Sequence, residues 1–162
     1  HDTNFEAIQA VLATAGYEVV FGGVAGDDER SIAGRVARLA DEGHGIVITT
    51  GGVGAEDKDR TIEAFELLAA NMPGATFSTA VLATYEVGHG RHVKPHVRVG
   101  AGLLGDVMVV ALPGPTREVQ AALPALVQAL QHRSAPAQMA EAVAAPIRAL
   151  WHDSKQSHKG HH

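Results

Sequence analysis

Residues 46–61, Ile46-Val47-Ile48-Thr49-Thr50-Gly51-Gly52-Val53-Gly54-Ala55-Glu56-Asp57-Lys58-Asp59-Arg60-Thr61, leave few folds open. The stretch begins as a β-branched apolar run, the pattern of a buried strand. Glycines at 51, 52 and 54 then let the backbone turn sharply and leave room for a ligand against the main chain. A helical pattern starts near Thr61. Strand, glycine loop and helix start in that order make an anion site, because free amides and the positive end of the helix dipole both face the loop. Glu56, Asp57 and Asp59 would repel a bare phosphate, but they suit a phosphate that arrives with a divalent cation.

The 162 residues suffice for one domain with a normal core, and 46% apolar content makes it globular. A net charge of −5 argues against a protein held to nucleic acid by phosphate contacts. There is no cysteine, which excludes disulfides and thiolate metal sites. No apolar run approaches the roughly 18 residues that would mark a membrane span. No leader is visible, so the cytoplasm is the expected location. Aromatic residues are only 4%, too few for a surface that stacks on nucleobases.

Along the chain, Asp2, Thr3 or Asn4 can cap a helix carrying Phe5, Ile8, Val11 and Leu12, which Gly16 ends. Tyr17 to Phe21 reads as a strand, followed by a loop over 22–26. Asp27-Asp28-Glu29 opens a helix with Ile32, Val36, Leu39 and Ala40 on one face, closed by Gly43. After the central strand and loop, the spacing predicts a helix over 61–71 that buries Ile62, Phe65, Leu68 and Ala69. Met72-Pro73-Gly74 stops it, and residues 75–85 fit helix or strand equally. Residues 86–96 form a basic, glycine-rich connection. Val97 to Gly100 alternates like a strand, Gly105-Asp106 suits a hairpin turn, and Val107 to Leu112 is a clear strand broken by Pro113-Gly114-Pro115. Helices are expected over 118–130, despite Pro124, and over 137–151, with a mobile polar tail from 152 to 162. Residues 1–151 then form a single α/β domain with a mostly parallel sheet. In such sheets ligands bind outside the carboxyl ends of the strands. Asp27-Asp28, residues 51–59 and Pro113-Gly114-Pro115 all fall there.

Asp28 and Asp59 are the candidate pair to hold Mg²⁺ across a phosphate pocket, since magnesium needs only one or two protein carboxylates beside substrate phosphates. On spacing alone helix capping is the favoured reading of each aspartate, though one cap does not explain the cluster. The glycine loop lacks the lysine-serine ending of a P-loop and the spacing of a dinucleotide fingerprint. Lys58 and Arg60 either neutralise ligand phosphates or are solvated surface charges. His89, His92 and His96 fit no standard zinc spacing, and Arg91 and Lys94 between them would repel a cation, which favours an anion-contacting loop.

Three ordered motifs carry a resemblance to a known family. Thr50-Gly51-Gly52-Val53-Gly54 with Asp59-Arg60-Thr61 resembles the T-G-G-x-G…D-x-T motif of the molybdopterin-binding domain of molybdenum-cofactor biosynthesis, the MoaB/Mog-like family. Asp28 to Ile32 resembles its D-x-x-x-I segment, and Leu112-Pro113-Gly114-Pro115 its L-P-G-x-P segment. Asp2-Thr3-Asn4 and Gly26-Asp27-Asp28 look most like one branch, the N-terminal domain of CinA-like competence/damage-inducible proteins. The resemblance runs from residue 2 to about 130. It implies a three-layer α/β/α sandwich whose pocket takes molybdopterin or a nucleotide. By motif, Asp28 and Asp59 become catalytic and magnesium-holding residues. The glycine loop Gly51, Gly52 and Gly54 and the turn Pro113 and Gly114 become ligand-binding, with Thr50 and Thr61 of the first motif beside them. Lys58, Arg60, Arg91 and Lys94 are read from their charge as partners for the ligand phosphates, Arg91 and Lys94 lying in a loop that departs from the family's more neutral sequence. Adenylyl transfer to molybdopterin is the implied activity. The CinA-like branch implies instead a Mg²⁺-dependent pyrophosphatase for ADP-ribose-like nucleotides, and a non-catalytic ligand-binding module keeps the same pocket. A homo-oligomer is implied too. The family pattern opens with a strand and a glycine-acid turn ahead of the D-T-N segment. Here nothing stands before His1, so either the sequence starts late or that strand is lost, and a lost strand would leave the sheet short of one inner strand and the pocket short of one wall.

Overall fold

A computed structural model describes residues 3–88 and 90–159. The elements are α1 (Thr3–Thr14), α2 (Glu29–Asp41), β1 (Ile46–Thr50), α3 (Thr61–Asn71), β2 (Thr76–Thr84), β3 (His96–Leu104), β4 (Val107–Leu112), α4 (Thr116–Gln131) and α5 (Pro136–Lys159). The four strands form one sheet in the order β1-β4-β3-β2. β1 and β4 pair in parallel, while β4–β3 and β3–β2 are antiparallel. The sheet is therefore mixed, and its parallel character is confined to the β1–β4 half. The reason is local: Gly105, at φ 64°, turns β3 straight back into β4 as a hairpin.

Alternation along the strands sets the three layers. Val110 and Leu112 point to a core shared with Ile8 and Leu12 of α1 and with the apolar faces of α4 and α5. Val109 and Ala111 point the other way, to Val36 of α2 and to Ile62 and Phe65 of α3. Helices thus cover both faces, giving an α/β/α sandwich. On the second face Phe77 lies across β3, where Gly100 and Gly102 carry no side chain. A Cβ on Gly100 would stand 2.2 Å from the ring, and one on Gly102 would stand 2.4 Å from the Thr76 carbonyl oxygen. The Phe77 ring stacks on Phe65 at 5.2 Å.

Three segments differ from their sequence reading. Residues 75–85, ambiguous by pattern, supply β2, because β3 offers them a pairing edge along its length. The last helix continues past Trp151 to Lys159. Tyr17 to Phe21 forms no strand. Its residues are extended and apolar, but a strand exists only through its ladder, and here a cavity separates the run from the neighbouring edge of β1. No helix among the described residues is long and apolar enough to cross a membrane.

Candidate functional site

The parallel pair β1–β4 places two bends side by side. β1 runs into the glycine loop and β4 into Pro113-Gly114. Gly51 donates its amide to the Leu112 carbonyl at 2.9 Å, so the ladder persists into the loop. A Cβ on Gly114 would sit 3.3 Å from the Gly51 Cα, which shows how closely the two backbones approach. Asn4 of α1 locks the second bend by donating from Nδ2 to the Gly114 carbonyl at 2.7 Å.

The loop is shaped by its own glycines and by the start of α3. Gly51 and Gly52 have φ of 95° and 71°, a region that side chains disfavour. Buried Thr61 closes the loop: its hydroxyl donates to the Gly51 carbonyl at 2.9 Å and its amide donates to the Gly52 carbonyl at 3.0 Å. A Cβ on Gly52 would lie 2.2 Å from the Thr61 hydroxyl oxygen. Gly52→Ala therefore combines a strained φ with a clash. It is expected to cost about 1–3 kcal/mol in urea unfolding and to weaken any ligand held by the loop amides. Asp59 folds back over Gly54 and accepts the Glu56 amide at 3.1 Å through Oδ2.

A cleft of about 760 Å³ lies above these bends. Gly51, Gly52, Gly54, Lys58, Asp59, Arg91, Pro113 and Gly114 line it together, joining eight residues of the sequence reading. Thr50, Arg60 and Thr61 line a neighbouring cavity on the other side of the loop. The basic residues divide. Arg60 donates to Glu29, and this hydrogen bond raises its pKa. Lys94, with its side chain 18% exposed, donates to the Asp59 carbonyl oxygen and reaches Glu63 at 2.6 Å. Both are cross-braces within the fold. Lys58 and Arg91 are open at the mouth, 68% and 87% exposed, and among the described residues each has only the Glu56 carboxylate near it, at 3.8 and 3.7 Å.

Asp28 lines neither cavity. It is the N-cap of α2, accepting the Ser31 amide at 2.9 Å and the Ser31 hydroxyl at 2.7 Å. The Ser31 hydroxyl, then its amide, hold the carboxyl below the usual aspartate range. A depressed folded pKa gives stability that is present above the unfolded value of about 3.9 and is lost as pH falls through the folded value. Asp28→Ala should therefore lower the urea midpoint at pH 7, and the difference from the unsubstituted chain should shrink in acid.

Several cleft residues carried no sequence signal as site members. The Tyr85 ring packs on His92 at 4.3 Å and forms one wall. Trp151 of α5 closes the far side, its Nε1 donating to Glu118 of α4 at 2.6 Å. Among the described residues no three His, Cys, Asp or Glu side chains group to hold a metal. His96 instead lies 3.3 Å from the Thr84 hydroxyl, while His89 falls outside the described residues.

Fold and site together define a three-layer α/β/α domain that presents a glycine loop and a proline-glycine turn at the carboxyl ends of a parallel strand pair. The chain belongs to the probable molybdopterin-binding domain family, whose model matches residues 1–132. It is 41% identical over 121 residues to a CinA-like protein of Geobacter metallireducens, an alignment covering 71% of this chain and 27% of that protein. The chain thus spans about a quarter of the length of that relative. Among solved structures it resembles MogA, with TM-score 0.60 and 19% identity over 88% of this chain and 90% of the other. It also resembles MoaB of Thermus thermophilus, with TM-score 0.60 and 22% identity over 88% and 86%. CinA of Thermoplasma acidophilum matches with TM-score 0.53 and 22% identity over 82% and 87%. At these identities the structural likeness speaks for the fold.

Proposed function

We propose that this domain binds a phosphorylated pterin such as molybdopterin, or a related nucleotide, together with Mg²⁺, and acts at a phosphoanhydride. The observation that carries the reading is the meeting of the 51–54 loop with the Pro113-Gly114 turn, beside Asp59 and below the open cations Lys58 and Arg91. Loop amides and the α3 dipole would bind the phosphates, and the cations would offset their charge. The donor set fits magnesium, which prefers hard oxygens and few protein ligands. Asp59 keeps Oδ1 without a partner among the described residues, and that oxygen would hold the ion. Asp28, the second carboxylate of the sequence reading, caps α2 outside the cleft and would reach the ion only on release from Ser31. When bound, the ion would polarise the phosphoryl oxygens. The protein would orient them and exclude water behind Tyr85 and Trp151. Adenylyl transfer to molybdopterin is the first activity to test.

Hydrolysis of ADP-ribose-like nucleotides, which the resemblance to the CinA-like branch implies, is the second. One observation favours a binding module without chemistry: both oxygens of Asp28 already serve as a helix cap. The purified chain should be incubated with Mg²⁺ and either ATP plus molybdopterin or ADP-ribose, with product analysis. Adenylylated pterin or AMP supports the enzyme, and saturable binding without product supports the module. Absence of binding to either ligand sinks both. The domain is further read as a cytoplasmic homo-oligomer, a state that sedimentation would reveal.

A further inference from the structure

The acidic turn 56–59 is gripped at both ends by one short piece of the β2–β3 connection. Val93 and Lys94 both donate their amides to the Ala55 carbonyl, at 2.9 and 3.1 Å. The Lys94 ammonium donates to the Asp59 carbonyl oxygen. Within the turn, Asp59 donates its amide to the Glu56 carbonyl at 3.1 Å and accepts the Glu56 amide through Oδ2 at 3.1 Å. The Asp59 carboxylate therefore hangs from a closed turn whose entry and exit carbonyls are held by adjacent residues of a different loop.

Lys94 is the charged member of this clasp. It lines neither the cleft nor the neighbouring cavity, so it stands behind the site and not in it. Glu63 of α3 holds the same ammonium at 2.6 Å. Arg60 lies 3.8 Å from Glu63 and pairs in turn with Glu29 at the start of α2. The lysine tip is thus a fixed point tied to two helices, unlike a solvated surface charge.

We propose, resting on the function given above in which Asp59 Oδ1 holds the ion, that Lys94 is a positioning residue for Asp59. It fixes the Asp59 backbone, so that Oδ1 keeps one place beside the cleft, and it sets Mg²⁺-assisted binding and chemistry without touching the ligand. Freed from Lys94, the turn can shift, and a misplacement of about 1 Å can cost about a hundredfold in rate. Phosphate contacts would survive that shift. The glycine loop is held by Thr61, and Lys58 and Arg91 lie at the mouth of the cleft, so these contacts rest on other bonds.

The test is a set of calorimetric titrations of the 162-residue chain with ATP and with ADP-ribose, each in Mg²⁺ and in EDTA. Lys94→Met removes the ammonium and keeps the backbone bond to Ala55. It is expected to leave affinity in EDTA unchanged and to lose most of the gain that Mg²⁺ brings. Where the chain turns over, kcat should fall about a hundredfold with KM little changed. Lys94→Arg keeps charge and donors and should restore most of the Mg²⁺ gain. Glu63→Gln drops the charge that holds the ammonium and should lose part of the gain; it carries the test should Lys94→Met not fold. A full Mg²⁺ gain in Lys94→Met, or in Glu63→Gln where Lys94→Met does not fold, would overturn the inference and leave the proposed function standing. So would weaker binding in EDTA, which would make Lys94 a phosphate contact, and so would failure of Lys94→Arg to recover. An unsubstituted chain that binds neither ligand, or binds both without regard to Mg²⁺, would overturn the proposed function and this inference with it.

Discussion

Asp59→Ala will reduce turnover to background in whichever of the two assays the unsubstituted chain is active, and it will leave the fold nearly intact. The carboxylate lines the cleft, folds over Gly54 and keeps Oδ1 without a partner among the described residues, the oxygen that the proposed function gives to a ligand-borne cation. Its only structural task among the described residues is to accept the Glu56 amide, a part-buried hydrogen bond of about 1 kcal/mol. For a domain of this size that is a shift of about 2–4 °C in Tm. Loss of a group that stabilises charge in the transition state costs about 10²–10³ in kcat. Activity that survives at more than a tenth of the original would remove Asp59 from the chemistry. A Tm fall far beyond the expected few degrees would make its role structural.

Phe65→Ala carries the largest expected stability effect, about 3–5 kcal/mol. The ring is fully buried between α3 and the sheet and stacks on Phe77 with an interplanar angle of 8°. The surrounding structure relaxes only partly around such a cavity, and the stacked partner Phe77 loses its contact. Urea unfolding should report the loss. The same change should loosen the site, because α3 begins at Thr61, whose hydroxyl and amide hold the glycine loop. Ligand affinity should fall even at temperatures where the variant is folded. Phe65→Leu, which keeps most of the volume, should recover most of both losses.

What could be read from the sequence was what local chemistry dictates. The glycine loop was legible because positive φ at Gly51 and Gly52 restricts the residue type, and Val107 to Leu112 because a strand buried on both faces must be apolar throughout. Asp28 was legible as a cap for the same reason: its partner is three residues away. The run 17–21 had the right composition for a strand but no adjacent edge, and adjacency is not written in a local pattern. Lys94 looked like a free cation because Glu63, which meets it, lies on another element. Tyr85, Glu118 and Trp151 come from β2's end, α4 and α5, and only the folded sandwich shows that they wall one cleft.

The aromatic ring laid over bare backbone on β3 has a consequence for anyone redesigning this scaffold. Positions 77 and 100 are one volume divided between two strands, and position 102 beside them is closed by the Thr76 carbonyl as well. Any side chain added to the glycine strand evicts the ring, and shrinking the ring leaves peptide groups uncovered beneath α3. Substitutions at 77 and 100 will be tolerated as matched pairs and rejected singly, while Gly102, which also faces the Thr76 carbonyl, will be rejected in any combination, so a library that varies those three sites independently will yield mostly unfolded chains.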